Sequence, residues 1–466
     1  MNTSNLPQPA ESKIAFDWRF VTPLYIGSAL NPVNTSFIAT ALVPIAAAIN
    51  VPVGQTAVLV AALYIACIVA QPAAGKLSEA FGPRRVFLAG ILAVLAGGVL
   101  GGLGHDLATL IVSRVLIGVG TSTGYPSAML LIRQRAESAG LTGPPGGVLG
   151  GLVIAGMATA VIGLPIGGFL VAAWGWQSVF FINVPLALVA LIMAASWIPR
   201  DPPCRSIKTL RDLATRIDLA GITVFSGAMI ALLVFLMSLP DPDWVVLGVV
   251  ILLGLAFVWW EGQVSQPFID LRLLGTNRPL ILTYVRFALA MLCVYTVMYG
   301  VTQWLEIDKN ISSADAGFII LPMSLISIVL AWLVSRLNLV RTPLIVSAVA
   351  CLAGSAGVFL FTTATPILWI VIITAIFGIT MGMCASANQT TFYTQVTADQ
   401  IGTASGLFRT FGYFGSVASS ALIAIFFNPD VSDQSLHSIA AVLVILSVVG
   451  LLIVIADRKI MALAKV

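Results

Sequence analysis

The chain has 466 residues, 59% of them hydrophobic and only 9% charged, with a net charge of +4. Soluble proteins average roughly 45 to 50% apolar and about 25% charged residues, so this composition calls for lipid as its solvent and excludes a soluble globular class. The basic excess is scattered in short segments between apolar runs rather than gathered on one amphipathic face, which argues against nucleic acid as a partner.

In chain order, Met1 to Arg19 carries Glu11, Asp17 and two prolines but no apolar stretch. It does not read as a cleaved secretory signal, and the first span is expected to remain as an anchor. A helix needs about 20 apolar residues to cross the hydrocarbon core, where an unpaired backbone is too costly for other open structures. Fourteen such runs follow. The first six are Val21 to Ile49, Thr56 to Ala74, Val86 to Leu103, Leu107 to Ile132, Gly147 to Ala173 and Ser178 to Trp197. After a basic loop come Leu219 to Met237 and Trp244 to Trp260, then Leu280 to Trp304, Ala316 to Val334, Pro343 to Thr362, Ile367 to Thr390, Ile401 to Phe427 and Ile439 to Ala456.

Loops rich in Lys and Arg stay in the cytoplasm. With both termini inside, the inner segments collect Lys13, Arg19, Lys76, Arg84, Arg85, Arg133, Arg135, Arg200, Arg205, Lys208, Arg211 and Arg216. Arg272, Arg278, Arg336, Arg341, Arg458, Lys459 and Lys465 join them, and the outer loops hold only Lys309. An all-α protein of the cytoplasmic membrane is expected, with a six-helix bundle over 1–198, a basic loop and two central helices over 199–278, and a second six-helix bundle over 279–466. Leu77, Glu79, Gly82 and Arg85 are echoed at one constant offset by Leu333, Ser335, Asn338 and Arg341, as a duplicated bundle would give. The five cysteines, Cys67, Cys204, Cys293, Cys351 and Cys384, show no metal or disulfide spacing, and neither metal nor cofactor is expected.

The loop Gly75-Lys-Leu-Ser-Glu-Ala-Phe-Gly-Pro-Arg-Arg85 resembles the signature loop of the major facilitator superfamily, with Glu79 where that family has Asp. Physically, a Gly turn with an acid and two bases suits a charge latch, formed here by Gly75, Glu79, Gly82, Arg84 and Arg85; the plainer reading is a positive-inside loop. Arg114-Val-Leu-Ile-Gly118-Val-Gly120 is similar to a motif of that family's fourth span, and Gly163-Leu-Pro-Ile-Gly167-Gly168 to its antiporter motif, where the glycines permit close helix approach and Pro165 a bend. Trp174-Gly-Trp-Gln-Ser-Val-Phe-Phe-Ile-Asn183-Val-Pro185 resembles the corner between spans 5 and 6 of the fourteen-span drug:proton antiporters. Gln266-Pro-Phe-Ile-Asp270 and Ala404-Ser-Gly406 resemble later markers of that group. The resemblance implies a two-bundle fold with alternating access, a small-molecule substrate, and a monomer in the bilayer. The group usually carries an acid in span 1, where this chain has Asn31 and Asn34.

Ionisable groups inside a bilayer are costly and are functional candidates. By these boundaries Arg114, Arg286 and Arg409 lie within spans, every Asp and Glu falls in a loop or at a span end, and His105 and His437 lie in outer loops. Arginine does not readily exchange protons, so either an end-of-span acid such as Glu79, Asp106 or Asp315 couples transport to protons, or protons do not drive it. A cavity with arginines and no carboxylate suits anions or neutral polar compounds. On ideal helices Arg114 shares a face with Thr121 and Tyr125, Arg409 with Tyr413, Asn31 with Asn34 and Thr35, and Tyr64 with Gln71; with Arg286 and Asn388 these form the expected substrate pathway. Hydrogen bonding to a neighbouring helix is the structural alternative for Arg114, and snorkelling to the interface for Arg286. The spans show no paired carboxylates, Ser/His pair or metal cluster, so no catalytic residue is expected and the chain is not read as an enzyme. The expected function is export of a small amphipathic or anionic compound; the alternative is an uptake permease or uniporter of the same fold.

Overall fold

The computed structural model describes residues 16–141, 146–201, 217–264, 267–269, 271–337, 339–396, 401–428 and 430–457. Lys13, Cys204, Arg205, Lys208, Arg211, Arg216, Gln266, Asp270, Asn338, Arg458, Lys459, Lys465 and the side chains of Ala404 and Ser405 lie outside that description. Every regular element among the described residues is a helix. Eleven helices are long and apolar enough to cross a membrane, or up to twelve if a bent pair is one span, among the described residues.

The bent pair is the first. Helix α1 (Trp18–Phe37) runs through a short 3-10 turn to Thr40, and α2 (Leu42–Ile49) leaves it at 59°. The apolar run Val21 to Ile49 is expected as one span; Pro44, in the first turn of α2, lacks an amide proton and crowds the carbonyl four residues back, which breaks the helix there. The rest of the first half is α3 (Val53–Phe81), α4 (Pro83–Leu103), α5 (Leu107–Ser122), α6 (Gly124–Ser138), α7 (Gly146–Trp174), α8 (Ser178–Phe181) and α9 (Asn183–Trp197). Helices α10 (Leu219–Met237) and α11 (Trp244–Glu261) follow, with the short α12 (Leu271–Thr276) after them. The second half is α13 (Arg278–Thr296), α14 (Thr302–Ile307), α15 (Ser313–Leu337), α16 (Arg341–Val358), α17 (Ile367–Gln395), α18 (Ile401–Phe426) and α19 (Asp433–Ala456).

Packing sorts these helices by how much of their apolar surface faces protein. In α3 the apolar window is 78% buried, because α5, α10 and α18 pack around it; in α11 it is 11% buried. Val245, Leu252 and Leu255 of α11 stand bare, an apolar surface suited to contact with acyl chains. The two halves meet along α3 against α18 and α7 against α15, and α10 leans on α3 while pairing with α11. Close approach explains the glycines of α7. A Cβ on Gly168 would meet the backbone of Ser313 and Ala314 on α15, and one on Gly317 would stand 2.6 Å from the Leu164 carbonyl. Gly163 lies against Ser36 and Gly167 against Phe37 of α1, so the glycines flanking Pro165 serve contacts on both sides of a continuous helix.

Candidate functional site

A cavity of about 330 Å³ lies between the halves. Its wall includes Asn31 and Thr35 from α1, Tyr64 and Gln71 from α3, Tyr125 from α6, and Arg409 and Tyr413 from α18, all members of the expected pathway. Arg409 is the one charged side chain on the wall among the described residues. Its guanidinium stands 3.9 Å from the centroid of the Tyr125 ring, so a cation–π contact crosses the cavity from one half to the other. Gln71 is buried, and its carbonyl oxygen has no partner among the described residues. An unpaired acceptor on a cavity wall is a place for a water or cargo donor.

The cavity closes at a cluster of tyrosines. Tyr64 lies 5.5 Å from both Tyr295 and Tyr413, its hydroxyl is 3.3 Å from that of Tyr299, and Tyr299 donates to the Thr35 carbonyl at 3.1 Å. A single π-turn over Val297–Val301 carries Tyr299 into this position. Such turns insert one residue into the helical register and recur at functional sites. Beyond the tyrosines the halves touch directly, Gly54 against Phe427 and Gly168 against Ser313, sealing that end.

Thr121 lines the cavity as well, whereas Asn34, Arg114, Arg286 and Asn388 are off this wall. Asn34 exchanges amide hydrogen bonds with Asn183 at 2.7 and 3.0 Å, tying α1 to α9; Asn31 donates to Thr121 at 3.0 Å and to the Cys67 sulfur at 3.2 Å. Arg114 is 2% exposed and donates to the carbonyls of Leu59 at 3.1 Å and Asn34 at 3.3 Å, joining three helices inside the first half. Arg286 does not snorkel. It is buried, donates to Asn388 at 2.8 Å and pairs with Asp457 at 3.5 Å. Nothing in the sequence marks Asp457, because it follows the last apolar residue of its span, where an acid is ordinarily solvated.

In the loop read as a latch, Gly82 adopts φ +100° and approaches Asp201 so closely that any side chain would collide with the carboxylate. Asp201 accepts from the amides of Arg84 at 3.1 Å and Arg85 at 2.9 Å, anchoring the start of α4. Arg84 donates through its side chain to Ala195, Lys76 reaches the Pro267 carbonyl at 2.7 Å, Gly75 has open space beside it, and Glu79 is exposed. Asp201 thus engages this loop through its backbone amides, and only the tertiary structure brings it near. Of the other end-of-span acids, Asp315 is exposed; Asp106 is exposed too, and hydrogen bonds from the Thr109 hydroxyl and amide hold its carboxyl below the usual range.

The family model of the Major Facilitator Superfamily matches residues 24–420. The chain belongs to that superfamily. Facilitators of this kind are multi-pass membrane proteins that carry small molecules and are not enzymes, and this one has multidrug-type relatives. It is 30% identical to the uncharacterized MFS-type transporter YwoD of Bacillus subtilis over 96% of this chain and 98% of that one. It is 25% identical to the multidrug resistance protein Stp of Mycobacterium tuberculosis over 75% of this chain and 64% of that protein. Among solved structures, the nucleoside transporter NupG matches with a TM-score of 0.61 at 12% identity, covering 96% of this chain and 99% of its own, which shows the shared fold. Further lining residues of this facilitator are Tyr295, Met298 and Gln389. Tyr295 reads in sequence as an interfacial or core aromatic, and nothing in its local pattern marks it as a wall residue.

Proposed function

We propose that this protein exports a small amphipathic or anionic compound across the cytoplasmic membrane by alternating access, in exchange for protons and as a monomer. Arg409 carries the cargo reading: it is the one charged side chain on the wall, and no Asp or Glu lines the cavity among the described residues. In a medium of low dielectric a lipophilic cation is repelled there and an anion attracted. The tyrosines and Met298 supply an apolar, polarisable bed for the rest of an amphipathic molecule.

The reading includes fourteen spans, with bundles over 1–198 and 279–466 and a central pair between them. Helices Gly146–Trp174 and Ile401–Phe426 stand where two of those spans are expected, and α10 and α11 pack on each other beside α3. By the charge rule both termini are cytoplasmic, the sealed end near Lys309 faces outward, and cargo enters from the cytoplasm.

The test is flux into everted membrane vesicles of a fluorescein-type anion and of ethidium, a cation of similar size. Gradient-dependent anion accumulation is expected, falling at least about tenfold in Arg409→Ala, the equivalent of one charge-assisted hydrogen bond. Ethidium competing for the site while anions do not would overturn the cargo reading, and equilibration without a gradient would make the protein a uniporter.

A further inference from the structure

The acids Asp218, Glu261, Glu306 and Asp457 sit in or against the helical interior. Asp218 accepts from Gly221, Trp260 and Phe268 at 2.9 to 3.0 Å and serves to cap α10. Glu261 ends α11 beside it, in the peripheral pair away from the cavity. Glu306 accepts from Ser313 at the sealed end, on the far side of the tyrosines. Asp457 differs from these in its partner, because the side chain it faces is a buried arginine next to the cavity wall.

Asp457 and Arg286 are each 4% exposed at their side chains and 3.5 Å apart. Arg286 Nε donates to Asn388. Arg286 and Asn388 each have a chain neighbour on the cavity wall, Phe287 after the first and Gln389 after the second. Behind the guanidinium lies a void of about 30 Å³ lined by Ser347, Thr380 and Ser447. That volume exceeds the roughly 10 to 15 Å³ that one water needs, and the lining is mostly apolar. Arg286 lines this void and Asp457 does not; the lining contributes no carboxylate and no lysine among the described residues, and its other titratable groups are the thiols of Cys293, Cys351 and Cys384.

We propose that Asp457 is the proton-binding group of this transporter and that Arg286 and Asn388 relay its charge state to the cavity wall. Hydronium gives its proton to the Asp457 carboxylate and leaves as water, while Arg286 keeps its own proton and charge throughout. A guanidinium buried beside a neutral acid has lost its counter-charge and shifts its hydrogen bonds toward the wall side, moving α13 and α17 relative to α19. Release of the proton restores the pair. Proton coupling therefore needs no acid in the first span, where this chain has Asn31 and Asn34. This deepens the proton exchange of the proposed function and rests on it.

The test begins without cargo. In infrared spectra of the purified full chain in lipid, acidification should raise protonated-carboxyl bands of which one component, resolved by subtraction from wild type, is missing in Asp457→Asn, shifted in Asp457→Glu, and still present in Asp315→Asn. The double variant Arg286→Gln/Asp457→Asn has no stranded charge and controls for folding; it should also lack that component. In vesicles, the fluorescein-type anion should then equilibrate in the double variant instead of accumulating, its ratio falling to unity. An acid-induced spectrum of folded Asp457→Asn identical to that of wild type, or accumulation that survives in the double variant, would overturn the proposal. The band does not depend on cargo, so a wrong cargo reading alters only the vesicle result.

Discussion

Each half of this transporter buries an arginine deep in an apolar helix bundle, and the two are held in opposite ways. Arg114 in the first half is held by backbone carbonyls of two neighbouring helices, with no carboxylate bonded to it among the described residues. Arg286 in the second half is held by an amide and by a carboxylate that has left water with it. Carbonyls of an intact helix keep their own hydrogen bonds when an arginine departs, whereas a buried carboxylate does not keep its counter-charge. The same residue type in the same medium is therefore a peg in one half and one member of a charge balance in the other.

The largest effect should follow from breaking that balance. Asp457→Ala strands the Arg286 charge and is expected to destabilise the protein by about 3 to 5 kcal/mol, while Arg286→Met/Asp457→Leu should recover most of the loss. Thermal unfolding in detergent measures both, and a single variant as stable as the wild type would erase the contrast. Arg114→Met removes a buried charge without stranding another, so its stability should stay within about 1 kcal/mol of wild type. A loss as large as that of Asp457→Ala would mean that Arg114 also balances a charge.

The smallest effect concerns the sealed end, where Trp304 donates to both Asp308 and Asp433 at 3.0 Å. Burial, then the neighbouring Asp433, pushes the Asp308 carboxyl above its ordinary value. With a raised folded-state pKa, the native state holds the proton longer than the unfolded chain, so stability is greatest in acid and falls as pH rises through the carboxylate range toward that raised value. Asp308→Asn keeps an acceptor for Trp304 and removes the titration. Its melting temperature should exceed that of wild type slightly near neutral pH and match it in acid, and a difference that grows in acid would contradict this assignment.

Much of the site is legible in the sequence, because a bilayer leaves few places for polar residues. Arg409, Tyr125, Tyr64, Gln71, Asn31, Thr35 and Tyr413 stand out as polar stripes on apolar helices, and they line one cavity. Tyr295 does not, since a tyrosine on an apolar helix reads alike whether it faces a cavity, a neighbour or the headgroups. The cavity role of Tyr125 also needs the structure, because its partner Arg409 lies in the other half of the chain.

By itself, then, the sequence determined the solvent, the helices, their approximate ends and the family, since each follows from local apolar length, charge placement and short motifs. The tertiary structure alone decided partners: Asn34 with Asn183, Gly82 with Asp201, and Arg286 with Asp457. Those pairings join residues more than one hundred positions apart, or a span interior to a residue just past a span end, and no local pattern encodes them. The charge state of a buried group follows from what faces it, and what faces it is set by how the helices pack.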